Sequence, residues 1–516
     1  MARYRHYDMK QSMMIAVSLE EQLKPGTLEY AIHYLIEDRI ETSYFDERFC
    51  NDETGRCAYN PKVLLKVVLY GYSRGMMSSR SIERACVKDV TFIALSCGQT
   101  PDHSTIAAFV SSMGDEIIRL YIQVLLVCEQ EGLLGGTHFS LDGLKLSSNA
   151  SKEWSGKFED LQKKKENLER KVREAIREHR KADKDKREKN DTDRDRREKR
   201  IKRLKRQAER IEKFLSENEA KIGAQGKEIQ SNVTDNESAK MATSHGVIQG
   251  YNANALVDEK HQVIVHAEAF GTGDDSGLAG DMLVGAEENL HAIGWDAQAL
   301  KGREISADSG YYSVGNLEVC RDLEVDAYIP DPKFRQRDQR FADAERHRRP
   351  VDKHKEKDGR KKYFTPSDFR LDDATGKLIC PAGESLYVCN RNFEVKGRRA
   401  IAYHGTKRGC GNCALRAKCL RNPNTVSRQV HIFYGDRPGS LTDAMKNKID
   451  TPEGRATYSK RLGIVEPVFG NIRVNKGLNR FTVRGLVKVN IQWMLYCLVH
   501  NIEKILHFGK TYAMAA

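Results

Sequence analysis

Three acidic residues stand where side chains from distant parts of a chain could meet. Asp142 lies near the middle of the alternating run THFSLDGLKL (137–146), Asp308 ends a short predicted strand that begins EISA, and Glu466 lies in a basic stretch, 457–485, that reads as helical. Carboxylate oxygens suit hard divalent cations, and two such ions about 3.5–4 Å apart assist displacement at phosphorus. Each acid alone is more often a salt-bridge or capping residue, so the hypothesis of a phosphodiester-cutting site depends on all three.

Four cysteines form a second candidate for chemistry. Cys380, Cys410, Cys413 and Cys419 have the spacing C-x29-C-x2-C-x5-C. A close pair plus two distant thiolates can hold one tetrahedral ion, so a structural zinc site is the leading interpretation. Reduced thiols without a ligand and an iron–sulfur cluster are the alternatives, and Cys389 or His404 could replace Cys380.

The elements that would position the acids follow a mixed pattern of strands and helices. Strands are predicted at 137–146, 247–259, 261–270, 304–308 and 325–330, with helices near 278–290 and 314–322. Three antiparallel strands followed by alternating helix and strand indicate an α/β fold with an RNase H-like mixed sheet. Asp142 and Asp308 would then lie side by side, and a later helix would bring the third acid.

The remaining segments differ in character from this core. Residues 1–133 read as helical, with Asn60 and Asp102 as helix caps. The segment 79–113 could hold a helix-turn-helix that presents His103, Ser104 and Thr105 to DNA. Residues 157–222 carry two heptad seams on either side of a charged stretch, which predicts an inserted antiparallel helical hairpin. A spacer, a dimer contact and a DNA-binding element remain open as its role.

The positive charge of the chain is local. The 516 residues carry 86 Lys plus Arg and 73 Asp plus Glu, a formal charge of +13. Residues 151–230 hold +9 of net charge and 331–362 hold +6, which favours a polyanionic partner over a merely soluble surface. No apolar run is long enough for a membrane span and no secretory signal is evident, so we expect a cytoplasmic, nucleoid-associated protein.

Two motifs carry a resemblance to a known family. DSGY at 308–311 resembles the D-x-G-[YF] motif around the second acid of DDE transposases of bacterial insertion sequences. Tyr458-x2-Arg461 with Glu466-x6-Arg473 resembles the tyrosine–arginine–glutamate–lysine signature around their third acid, and Asp142 matches the first. Four residues separate Arg461 from Glu466 where the usual signature has three, and Arg473 replaces the usual lysine.

The resemblance implies a reaction and a set of ligands. Asp142, Asp308 and Glu466 would hold two Mg²⁺ or Mn²⁺ ions that assist nicking at the element ends and attack of the freed 3′-hydroxyl on target DNA. The chain would bind the terminal inverted repeats as a homodimer or higher oligomer. The basic residues that would contact DNA are Arg461, Arg473 and Lys476, besides the helical candidates His103, Ser104 and Thr105.

This interpretation divides the chain into six parts. They are a helical DNA-binding domain at 1–133, catalytic core at 134–156, a helical hairpin at 157–230, more core at 231–330, a basic cysteine-rich insertion at 331–450 and C-terminal core helices at 451–516. Two alternatives remain: a non-catalytic DNA-binding zinc protein derived from a transposase, and a divalent-metal nuclease without strand transfer.

Overall fold

The structure is a computed structural model. It describes residues 18–48, 57–184, 191–223, 226–243, 246–341, 363–372, 374–395, 398–434 and 439–510. Much of the basic segment predicted at 331–362 therefore lies outside the described residues.

One mixed sheet forms the centre of the fold. The first eight strands are β1 (His138–Ser147), β2 (Ser155–Gly156), β3 (Ser231–Asn232), β4 (Ala239–Thr243), β5 (Gly246–Asp258), β6 (Ile264–Phe270), β7 (Glu304–Ala307) and β8 (Asp326–Tyr328). Six of them form a sheet in the order β4-β5-β1-β7-β8, with β6 also paired to β5. β5 is antiparallel to β1, β4 and β6, whereas β1, β7 and β8 are parallel. The predicted α/β class is confirmed.

Two helices connect the later strands of this sheet. Helix α9 (Ala279–Ala292) follows β6, and helix α10 (Val314–Asp322) joins β7 to β8; both were predicted within a few residues. The parallel pairs need such crossovers, because a short turn cannot return the chain to start a parallel neighbour.

The N-terminal helices share one hydrophobic core with the sheet. They are α1 (Leu28–Tyr34), α2 (Pro61–Ser73), α3 (Ser79–Lys88), α4 (Val90–Leu95), α5 (His103–Ser111) and α6 (Glu116–Gln130). The predicted caps are present, since Asn60 accepts from the backbone N–H of Lys62 and Asp102 accepts from the first turn of α5. The Tyr121 hydroxyl of α6 donates to the Ile264 carbonyl of β6 at 2.7 Å. A boundary at residue 133 stays a proposal.

Two long helices form the hairpin predicted after β1. α7 (Phe158–Lys184) and α8 (Asp191–Glu217) pack antiparallel, since Lys165 lies 2.6 Å from Glu212 and His179, further along α7, lies 3.8 Å from Glu198, earlier in α8. Their base has a hydrophobic cluster of its own, Leu161, Ile211, Phe214 and Val233, separate from the main core. The antiparallel hairpin is confirmed, and residues 185–190 at its tip lie outside the described residues.

The cysteine-bearing segment contains a second antiparallel sheet. Its strands are β9 (Arg370–Asp372), β10 (Lys377–Ile379), β11 (Ser385–Val395), β12 (Arg398–His404) and β13 (Gln429–Phe433), in the order β13-β12-β11-β10-β9. Two short helices, Lys407–Gly411 and Arg416–Cys419, connect β12 to β13. This sheet has its own small core around Leu386 and Ile401.

Three helices complete the described chain. They span Leu441–Asp450, Pro452–Gly470 (the Glu466 helix) and Leu486–Phe508 (the C-terminal helix). The Glu466 helix continues through Pro467, which has no N–H for the Gly463 carbonyl; the Gln262 side chain donates to that carbonyl instead, at 3.0 Å. The C-terminal helix packs one side into the main core, and Trp493 Nε1 donates to the Asn254 carbonyl of β5 at 3.0 Å. Within the described ranges, no helix is both long and apolar enough to cross a membrane.

Candidate active site

Asp142 and Asp308 lie next to each other because of the strand register. β1 and β7 are parallel, and Leu141 is paired with Ala307. Asp142 and Asp308 directly follow these two residues, so they are neighbours across the two strands. Burial raises the pKa of Asp142, and the charge of Asp308 raises it further, while the Arg461 guanidinium opposes the shift. The sheet alone therefore brings together the first two predicted acids.

Arg461 neutralises Asp142 directly. Its Nη1 lies 2.7 Å from Asp142 Oδ2, and the side chains of Arg461 and Asp142 are only 10% and 20% exposed. The guanidinium also lies 5.9 Å from the ring centre of Tyr458. Arg461 was predicted to contact DNA, but here it contacts the first acid, so a phosphate would have to compete with a carboxylate.

Glu466 does not share the face of Arg461. Five residues along a helix correspond to about 140° of rotation, and Glu466 is exposed, whereas Ile464, Val465 and Val468 are buried. Within the described residues, no three His, Cys, Asp or Glu side chains are grouped closely enough to hold a metal ion. The structure thus assembles two of the three acids, and the role of Glu466 stays a prediction.

A fourth carboxylate lies beside Asp308, and the sequence analysis missed it. Asp275, in the loop after β6, accepts a 2.5 Å hydrogen bond from Asn252 Nδ2 and lies 3.9 Å from Lys145 Nζ. Burial raises the pKa of Asp275, the hydrogen bond from Asn252 opposes the shift, and Asp308 adds to it. The one signal in the sequence is that Asn252 and Asn254 alternate in a strand that is mostly apolar.

The DSGY motif has a local structural explanation. Asp308 Oδ1 accepts from the Gly310 N–H at 2.7 Å and so caps a tight turn. A Cβ at Gly310 would lie 2.9 Å from both Asp308 Oδ1 and Asp275 Oδ2, so a side chain there would fill the space between the two carboxylates. Tyr311 is buried, and its hydroxyl donates to Asn254 Oδ1. The motif therefore fixes Asp308 against β5.

The predicted DNA-contacting residues of α5 are engaged within the protein. His103 Nδ1 lies 3.1 Å from Glu83 Oε2. The Ser104 and Thr105 hydroxyls both donate to Asp102, at 2.5 and 2.9 Å, and these bonds hold the pKa of Asp102 well below its usual range. Base contacts from these hydroxyls would compete with the helix cap, and their DNA-binding role stays a prediction.

The two basic residues after Glu466 differ in exposure. Arg473 is exposed and contacts Asn479 only at 3.5 Å. Lys476 is buried at 1% exposure and forms an ion pair with Glu503, and burial lowers its pKa. Arg473 is thus accessible and its contact with DNA stays a prediction, whereas the ammonium of Lys476 is not accessible to DNA.

A cleft of about 800 Å³ separates the N-terminal helices from the segment 480–488. Its apolar side includes Ile82 and Ile106, from α3 and α5. Arg480, Arg484 and Lys488 line the other side and are exposed. The sequence analysis did not single these cations out, because they become neighbours only through the packing of α3 and α5.

The four predicted metal-binding cysteines line one pocket. Cys380, Cys410, Cys413 and Cys419 surround it, and no described cysteine forms a disulfide. Burial raises the pKa of Cys419, and the neighbouring thiols add to the effect while Arg428 opposes it. The cysteines line the same pocket, but among the described residues they are not grouped closely enough to hold a metal ion, so a zinc ion at this position stays a proposal.

Two protein-family models match this chain. Residues 379–506 match the family described as Transposase DDE domain, and residues 17–112 match Transposase domain (DUF772). The first match includes the cysteine segment and Glu466, and the second includes most of the N-terminal helices. No curated protein and no solved structure matches. The two matches confirm the predicted resemblance to DDE transposases of insertion sequences.

Proposed function

We propose that this chain, a DDE transposase of the insertion-sequence type, binds the terminal inverted repeats of its element and catalyses metal-dependent strand cleavage and strand transfer. The observation that carries the proposal is the juxtaposition of Asp142 and Asp308 on parallel strands. The strand order and directions of the main sheet support an RNase H-like core, the architecture expected for this chemistry.

The residues present suit hard divalent cations. Asp142 and Asp308 offer carboxylate oxygens, and the guanidinium of Arg461 already occupies one oxygen of Asp142, so the site attracts positive charge. Asp142 and Asp308, with Glu466 as the third acid, would hold Mg²⁺ or Mn²⁺. Such ions, when bound, activate the attacking hydroxyl and offset charge on the phosphate.

The protein contributes position and charge to this reaction. The strand register holds Asp142 of β1 beside Asp308, which directly follows β7. The turn capped by Asp308 fixes its carboxylate, and Tyr311 anchors that turn to Asn254 of β5. Arg461 balances the charge of Asp142, so the buried carboxylate remains tolerable when no cation is bound.

The decisive test replaces Asp308 by Asn, which keeps the size and removes the charge. Protein, Mg²⁺ and a DNA fragment bearing the inverted repeats that flank the gene are mixed, and the products are sequenced. Asp308→Asn should lose nicking and strand transfer and keep DNA binding. Asp322→Asn, an exposed acid paired with its neighbour Arg321, is the matched control. Wild-type nicking by Asp308→Asn would contradict the proposal.

The same assay separates the two rival functions. A nuclease would give nicked or cut repeats without joined products, and a non-catalytic DNA-binding protein would give neither. Joined products whose junctions lie at the repeat ends are expected only from strand transfer.

For DNA binding, we propose that the cleft lined by Arg480, Arg484 and Lys488 contacts the phosphate backbone. Phosphate contacts make affinity fall steeply with salt, and each lost contact reduces the slope of log K against log[salt] by about 0.9. Lys488→Ala should reduce the slope by about that amount, whereas Lys301→Ala, which removes an exposed lysine paired with Glu324, should not. An unchanged slope in Lys488→Ala would place the DNA elsewhere.

For the cysteine pocket, we propose a structural zinc ion held by Cys380, Cys410, Cys413 and Cys419. Four thiolates leave no position for a substrate water, so the ion would stabilise the second sheet and take no part in the reaction. Elemental analysis of protein purified without added metal should give about one zinc per chain. Iron, or four freely titratable thiols without metal, would contradict this assignment.

A further inference from the structure

Asp275 is tied to the turn that carries Asp308. Asn316, buried at the start of α10, donates from Nδ2 to the Asp275 carbonyl at 3.2 Å and to the Tyr311 carbonyl at 2.8 Å. One amide therefore fixes the backbone on both sides of the space between the two carboxylates. The loop after β6 is held beside the Asp308 turn by a specific contact, independently of any charge.

The Asp275 carboxylate is also oriented toward Asp308. Asn252 Nδ2 holds Asp275 Oδ1 at 2.5 Å. Asp275 Oδ2 lies 2.9 Å from the position that a Cβ at Gly310 would take, and Asp308 Oδ1 lies at the same distance from that position. Two carboxylates that border one small space repel each other unless a cation or proton lies between them.

Asn252 supplies an independent observation. Its side chain is 0% exposed, and its Oδ1 is buried with no hydrogen-bond partner among the described residues. That oxygen lies 2.7 Å from the position that a Cβ at Gly143 would take, on the face of β1 that also carries Lys145. Leaving a buried amide oxygen unpaired costs roughly 1–3 kcal/mol, and a hydrated cation bound at Asp275, which the same amide contacts, would supply the missing partner.

We propose that Asp275 is a further ligand of the divalent ion held by Asp308, and that Asn252 is a positioning residue that orients Asp275 and faces the hydration shell of the ion. The inference rests on the proposed function, because it concerns the same ions. It adds Asp275 to the three acids of the proposed function and replaces none of them. The competing explanation is that Asp275 only balances the charge of Lys145, 3.9 Å away.

Titration of the full chain with Mn²⁺, followed by calorimetry and by the electron paramagnetic resonance signal of free Mn²⁺, tests the proposal without any turnover. Asp275→Asn keeps the size of the side chain and should weaken Mn²⁺ binding tenfold or more. Asp274→Asn changes an exposed acid of the same loop and should bind Mn²⁺ like the wild type. Wild-type affinity in Asp275→Asn would overturn the proposal.

A second variant keeps the proposal testable if Asp275→Asn does not fold. Gly310→Ala adds one methyl group to the space between Asp275 and Asp308 and should also weaken Mn²⁺ binding at least tenfold. Gly315→Ala is its control, because a Cβ there meets nothing within 4 Å. Unchanged Mn²⁺ affinity in Gly310→Ala would show that the space holds no ion and would overturn the proposal.

The outcome for Asp308→Asn in the same titration separates this inference from the proposed function. If Asp308→Asn loses Mn²⁺ binding and Asp275→Asn keeps it, Asp275 is a structural counter-charge and the proposed function stands. If neither change affects Mn²⁺ binding, the ion site itself is misplaced, and both proposals fail.

Discussion

Replacing Arg461 by Met leaves Asp142 as a buried carboxylate without its cation. Removing one partner of a fully buried ion pair costs about 3–5 kcal/mol, whereas exposed pairs are worth about 0.2–1 kcal/mol. The Arg461 and Asp142 side chains are 2.7 Å apart and only 10% and 20% exposed. The cost of removing one partner should therefore be close to that of a buried pair, reduced somewhat by solvent screening. We expect Arg461→Met to lower the free energy of unfolding by about 2–3 kcal/mol.

Urea unfolding followed by tryptophan fluorescence is a suitable assay, since Trp493 is fully buried against β5. Asp142→Asn and the double variant complete a double-mutant cycle, and we expect a coupling energy of about 1–3 kcal/mol. The exposed pair Arg321–Asp322 is the control, with an expected coupling below about 0.5 kcal/mol. A coupling at Arg461–Asp142 as small as that of the control would refute the reasoning. Mn²⁺ should also stabilise Arg461→Met more than the wild type, because the competing cation is gone.

Two further predictions concern pH and the hairpin. His500 is buried, and this burial lowers its pKa to about 3, although the hydrogen bond from its Nε2 to the Gln262 carbonyl opposes the shift. Only the unfolded chain then gains this proton between pH 6.5 and 3, so stability falls as the pH falls, by about 2 kcal/mol from pH 7 to 5. The free energy of unfolding, measured at both pH values, should fall less for His500→Gln than for the wild type. The exposed control His507→Gln should show the same fall as the wild type. Replacing 157–222 by a Gly/Ser linker should leave a folded protein that binds DNA more weakly and with a shallower salt slope; unchanged binding with lost self-association would make the hairpin a dimer contact.

The strands and the first two acids could be predicted because they depend on local patterns and register. Alternation in 137–146 indicates a strand, and a parallel neighbour ending at Asp308 places that acid beside Asp142 without further information. The hairpin was predictable for the same reason, since the apolar residues of its two heptad seams can pack against each other. Burial of Lys476 was not predictable, because a lysine in a basic stretch resembles a DNA contact until the packing of the C-terminal helix pairs it with Glu503.

Asp275 and Asn252 escaped the sequence analysis for a different reason. Asp275 stands in a loop with no periodicity, so nothing local separates it from Asp274. Its importance appears only when β5 and β6 pair and the loop that follows β6 returns to the turn of Asp308. Asn252 gave a faint signal, because an amide in a fully buried strand needs partners, but the sequence does not say which groups those partners are.

The spacing between Arg461 and Glu466 decides how the third acid relates to the other two. With the usual three intervening residues, the acid would stand at position 465, one helical turn beyond Arg461 and on the same face. That position holds Val465, which is fully buried against the main core. The extra residue moves the carboxylate from this buried stripe to the exposed flank of the helix, where the sheet does not desolvate it. The juxtaposition of Asp142 and Asp308 therefore depends on strand register alone. The position of Glu466 depends instead on the rotation of its helix, which Arg461 links to Asp142 and Gln262 links through the Gly463 carbonyl.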